Sequence, residues 1–123
     1  MKDLFIPFKE SQEMKELGFD EPCLATYHKE LHTIIPIYAK YTNQDVIKAP
    51  LYSQAFKWFR DTHNLDAWVE EINHGINNDK KQYIFQLPTK TSHFEKIKYF
   101  ETYEQAELEC LRELIEIVKE QKK

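Results

Sequence analysis

Three groups of side chains in this chain could support chemistry by type and spacing. His28 and His32 stand four apart in HKELH, and on a helix that spacing turns both imidazoles toward one metal ion, with Glu30 nearby. The order is not H-E-x-x-H, however. The preceding residues Cys23–Tyr27 favour a strand, where positions four apart are more widely separated, and no third ligand is evident. The two histidines therefore read as surface residues of a loop. Cys23 could be a nucleophile if the fold brought one of the five histidines beside it. A half-buried strand cysteine after the corner at Pro22 accounts for it without such a role; a reactive thiolate at neutral pH would revive the nucleophile. Carboxylates are plentiful: Glu10, Glu13, Glu16, Asp20, Glu21 and seven glutamates between Glu101 and Glu120. Paired-carboxylate catalysis needs a pocket and a raised pKa. Helical spacing instead puts most of these groups on outward faces, as solvated charge. There is no Walker loop, no GxGxxG and no GxSxG, and two glycines are too few for a backbone phosphate cradle. No catalytic, cofactor-binding or metal-binding residue is assigned.

Charge is distributed unevenly. Between Lys80 and Lys98, five lysines (Lys80, Lys81, Lys90, Lys96, Lys98) stand against Glu95, while between Glu101 and Glu120 seven glutamates stand against Arg112 and Lys119. The basic stretch is interleaved with Tyr83, Phe85, Phe94 and Tyr99. Lysines beside exposed sheet aromatics bind single strands by charge and stacking. Lysines on sheet edges also serve simply as solubilising charge, with the aromatics turned toward helices, and that plainer reading is preferred. Trp58 and Trp68 are interface-type residues that equally fit core packing. Phe56, Trp58 and Phe59 cannot share one narrow helix face, so one ring, taken to be Trp58, is expected at the edge of the core. The candidate interaction surface is thus Trp58, Trp68, Lys80, Lys81, Tyr83, Lys96 and Lys98.

These groups must be positioned by secondary structure, and the clearest element runs from Thr102 to Gln121. Thr102 and Gln105 have capping-box spacing, Glu104 and Glu107 occupy the first turns, and Lys119 lies near the other end, each favourable to the helix dipole. Tyr103, Ala106, Cys110, Leu114, Ile117 and Val118 share a face that Leu108, Leu111 and Ile115 widen, too broad for a coiled-coil seam. Upstream, LFIPF at Leu4–Phe8 reads as extended. Ser11–Leu17 reads as a short helix with Phe8, Met14 and Leu17 inward, stopped at Gly18. Cys23–Tyr27 reads as a strand, and Thr33–Tyr41, which carries Pro36, as an edge strand or extended segment. TNQDVIKAP reads as a loop. Leu51–His63 follows as a helix ended by a left-handed Asn64. Asp66–Ile72 and Gln82–Leu87 alternate like a hairpin, and Phe94–Phe100 as a third strand or a lead-in. The expected fold is α+β: a small antiparallel sheet of three to four strands packed against two main helices, in one domain spanning 1–123.

Length and composition suit one domain with its own core. Two distant cysteines without CxxC suggest reduced thiols in a cytosolic protein. Met1–Phe8 is short for a signal peptide and contains Asp3 and Pro7; no stretch approaches membrane-spanning length. A net charge of −4 argues against coating of bulk nucleic acid.

KELGFDEPCLATY at Lys15–Tyr27, APLYSQAFKWFRDTHNL at Ala49–Leu65, the intervening hairpin and FETYEQAELECLRELIEIVK at Phe100–Lys119 carry a resemblance over nearly the whole chain. The sequence resembles a group of small proteins common in gut anaerobes and in the tailed phages and prophages that infect them. The resemblance implies a phage- or prophage-type accessory protein working in the bacterial cytoplasm. It carries over no activity, cofactor, partner or functional residue. The resulting expectation is a non-catalytic protein-interaction module with a host or phage protein as partner. A nucleic-acid-binding protein using the hairpin over 80–99 is the alternative, and a small Cys/His enzyme the third. The oligomeric state stays open.

Overall fold

Thr102 opens the closing helix as its spacing requires: its backbone is extended and its hydroxyl accepts from the amide of Gln105 at 3.1 Å. The computed structural model describes residues 4–36, 46–73, 81–87 and 98–122. Within them the chain order is α1 (Phe8–Glu16), β1 (Ala25–His28), β2 (Ile34–Pro36), β3 (Val46–Ala49), α2 (Tyr52–His63), β4 (Trp68–Asn73), β5 (Lys81–Gln86) and α3 (Tyr103–Gln121).

The class is α+β, with the strands divided between two small antiparallel sheets rather than joined in one. The first has the order β2-β1-β3, and the second is the β4-β5 hairpin. In the first, Tyr27 of β1 lies opposite Ile34 of β2 and Ile47 of β3. In the second, Val69 opposes Phe85 and Glu71 opposes Tyr83. Phe100 extends β5 on its other side, exchanging both backbone hydrogen bonds with Tyr83 at 2.8 and 2.9 Å. That is the described part of the expected third strand.

β3 falls within TNQDVIKAP, where a loop was expected. Val46 and Ile47 are β-branched, and their strand alternates between half-buried and buried positions. Pro50 lies just before the helix rather than in its first turn, and its carbonyl accepts from Ile6 at 2.9 Å. This ties the extended LFIPF stretch to the start of α2, with Phe5 bridging Leu51. Pro7 then caps α1, which begins earlier than expected because Phe8 is already helical. Gly18 ends that helix at φ +106°, a conformation costly for an L residue bearing a side chain. Asn64 ends α2 at φ 56°, ψ 36°, the left-handed stop anticipated from its side chain.

α3 buries Ala106, Cys110, Leu111, Leu114, Ile115 and Val118 against α1, α2, β4 and β5. Each large aliphatic among them contributes about 1.5–3 kcal/mol gross. The buried stripe is displaced from the expected one. Leu114 lies at its centre and Leu111 and Ile115 are buried on one side, while Tyr103 is 44% exposed and Leu108 half-buried. The main core joins this stripe to Ile6, Met14, Phe19, Trp58 and Phe59. A smaller cluster of Ala25, Tyr27 and Ala49, flanked by Phe5, Phe8 and Ile34, lies under the first sheet. No described helix is long and apolar enough to cross a membrane.

Candidate functional site

The smaller cluster is incompletely covered, and its open flank forms a trough of about 700 Å³. Phe5, Pro7 and Phe8 supply one wall from the entry to α1; Tyr27, His32, Thr33 and Ile34 supply another from β1, β2 and their connection. Tyr52 lines it from the start of α2, and Glu104, Gln105 and Leu108 from α3.

Local chemistry holds these rings in place. The Tyr27 hydroxyl donates to the Ile6 carbonyl at 2.7 Å, anchoring β1 to the LFIPF stretch. Phe8 meets Tyr27 edge-on at 5.7 Å and stacks on His32 at 3.8 Å. His32 reaches that ring because its backbone is left-handed, φ 56°, and its amide donates to the His28 carbonyl at 2.8 Å. His28 turns Nδ1 inward to accept from the amides of Glu30 and Leu31, both at 3.2 Å. HKELH is therefore a closed turn, with one imidazole ordering backbone and the other stacked on a ring. Among the described residues no group of three or more His, Cys, Asp or Glu side chains is arranged to hold a metal ion.

Beside and below the trough the electrostatics are acidic. Glu104 lines it, and burial together with Glu104 pushes the carboxyl of Glu107 up to about 7. Burial, then Glu107 and Glu10, raises the Tyr52 phenol well above its ordinary range. Glu10 is only 2% exposed and accepts from Arg112 Nε at 3.2 Å. Arg112 also donates to Glu109 at 2.6 Å, and Lys119 pairs with Glu13. The nearby cations of α3 are thus committed to carboxylates, and among the described residues no lysine or arginine lines the trough.

Among the described residues the sequence-predicted surface is interrupted at Trp58, which is buried. Trp58 is a correction: it is 5% exposed, packed edge-on against Phe19 and Phe59 at 5.5 and 4.9 Å, and it is Phe56 that stays half-buried at the margin. The indole packs between Phe19 and Phe59, while Phe56 packs against the same core from its margin. Trp68 is 41% exposed and donates Nε1–H to Glu70 at 2.8 Å. Lys81 is exposed and approaches Glu71 at 3.5 Å. Tyr83 is half-buried edge-on to Tyr103 at 6.0 Å, and Phe85 packs toward the main core. Lys98 is exposed. Lys80 and Lys96 lie outside the described residues, as do Lys90 and Phe94. In its described part the hairpin therefore sets Glu70 and Glu71 beside its lysine and tryptophan.

Cys23 is buried, donates toward the Glu21 carbonyl at 3.4 Å, and its thiol is pushed up to about 11, chiefly by burial. Cys110 lies in the main core, its thiol pushed up to about 12, again chiefly by burial. Both are far from thiolate character at neutral pH. Sequence reasoning missed the trough altogether. Its one local signal was the run of apolar residues at Leu4–Phe8, too long for the short helix that follows. No family model matches this chain, and no curated protein or solved structure shows significant similarity to it.

Proposed function

We propose that this chain is a non-catalytic protein-interaction module that receives a segment of a partner protein in the aromatic trough. The observation that carries this reading is the trough itself: open, walled by rings that are braced from behind, and of a volume typical of binding sites. Tyrosine and phenylalanine give large contact area at small entropic cost, which suits recognition. Both thiols lie outside its lining and are held protonated by burial, which speaks against nucleophilic catalysis there. The resemblance to phage and prophage accessory proteins supports a host or phage protein as partner, and two free thiols suit the reducing bacterial cytoplasm.

Gln105 is exposed at the trough wall, so Gln105→Trp obstructs the trough without disturbing the core. A partner captured by the tagged wild-type chain from phage-infected host lysate is expected to be lost with Gln105→Trp and kept with Lys57→Ala on α2. Its hydrogen-exchange footprint is expected on Phe5–Phe8 and Tyr27–Ile34. A partner retained equally by Gln105→Trp, or a footprint centred on Trp68, overturns the reading.

A further inference from the structure

The proposed module leaves open what chemistry the partner segment carries, and the trough's own composition narrows it. Among the described residues its lining combines aromatic rings with a carboxylate, Glu104, and includes no lysine or arginine. Glu107 follows one helical turn later on the same side of α3, and Glu101 precedes. From Phe100 to Leu111 the chain carries four carboxylates and no basic residue, and the first cation after them, Arg112, is hydrogen-bonded to both Glu10 and Glu109. Resting on the interaction-module reading, we infer that the segment received in the trough presents a lysine or arginine side chain, its cation set against Tyr52, Phe5 and Glu104.

The physical case is complementarity of two kinds. An aromatic face attracts a cation through its quadrupole, most strongly where water is excluded. A carboxylate beside the ring adds Coulomb attraction and orients the cation. An anionic side chain would be repelled by Glu104, the carboxylate that lines the trough. A purely apolar one would leave Glu104 facing it without a counterion. Burial first, and then the charge of Glu104, keeps a proton on Glu107 into the neutral range; facing it are Glu104, Tyr103 and Cys110 of α3 and Tyr52 of α2. An arriving cation relieves that repulsion. The rim also offers apolar contact for the stem of a long side chain, since Leu108 lines the trough.

The test pans a random library of linear peptides against the full chain and maps the selected peptides by backbone amide shifts. Selected peptides are expected to share a lysine or arginine and to move the signals of Phe8, Tyr27, His32 and Gln105. Replacing that lysine by norleucine, which keeps the stem, is expected to weaken binding about tenfold. Glu104→Gln, at an exposed site that leaves the fold intact, is expected to weaken it about three- to fivefold. Trough-binding peptides that lack a cation, or that tolerate norleucine and Glu104→Gln unchanged, overturn the cationic guest while leaving the interaction module standing. If the only trough shifts come from self-association of the chain, a second copy is the occupant and the cationic guest is overturned. If no peptide moves any trough signal, both readings fall.

Discussion

Arg112 of α3 meets Glu10 of α1 through Nε at 3.2 Å, across 102 positions of sequence, and the carboxylate it meets is 2% exposed while its own side chain is 47% exposed. One partner is sealed in and the other keeps contact with water. Such a pair is costly to break from the exposed side, because removing the cation strands a buried charge.

Arg112→Met is therefore expected to cost about 1–3 kcal/mol, less than a fully buried pair because water can reach the vacated position. Glu10→Leu with Arg112→Met is expected to recover most of that loss. Urea denaturation of both single variants and the double variant gives the coupling. A double variant no more stable than Arg112→Met would show that the pair is not the origin of the loss.

Leu114 is fully buried at the junction of α3 with the main core. Leu114→Ala is expected to destabilise by about 2–5 kcal/mol, and Leu114→Asp to leave no cooperative transition. Circular dichroism melts decide it: a soluble, cooperatively melting Leu114→Asp protein would contradict the packing described.

The carboxyl of Glu107 has a folded-state pKa above its unfolded value of 4.5, at about 7. Between those values the folded chain holds a proton that the unfolded chain has released, so stability falls as pH rises through this window. Glu107→Gln removes the penalty. Because the residue is partly open to water, its discounted effect is a gain of about 1–2 kcal/mol at pH 8 and almost none at pH 5. Urea midpoints of both proteins at the two pH values test the sign; an equal difference at both would refute it.

Asn64 is exposed, so its contribution to the end of α2 is conformational. Asn64→Gly is expected to change stability by less than about 0.5 kcal/mol, while Asn64→Val, which resists a positive φ, costs about 1–2 kcal/mol. Thermal unfolding of the pair separates backbone strain from lost contacts, since valine and glycine both delete the amide.

The helices were legible because each carries a repeating apolar face and a local stop signal, Gly18 and Asn64 among them. α3 was legible even to its capping hydroxyl and to the inward turn of Leu111, yet the outward turn of Tyr103 was not, because it depends on what lies opposite. β3 was hidden because four polar residues, Thr42–Asp45, precede a strand of only four residues. The partition into two sheets was hidden for a different reason. Val46–Ala49 pairs with Ala25–His28 across a long separation, and no local pattern encodes such a partner. The trough needed the most distant information of all, since its rings come from Phe5 and the start of α1, from β1 and its connection to β2, and from α2, and its carboxylate from α3. Trp58 shows the converse: a residue type common at interfaces was drawn into the core by the aromatic rings of Phe19 and Phe59.

α3 is the element on which α1, α2 and the β4-β5 hairpin all rest, and it is the last of them to be synthesised. On the ribosome, the earlier segments must therefore wait with their oily sides unsheltered until Thr102–Gln121 clears the exit tunnel. Nascent chains stalled before Thr102 should be protease-sensitive and bound by chaperones, whereas those given a C-terminal spacer that carries Gln121 out of the tunnel should resist digestion in a single step.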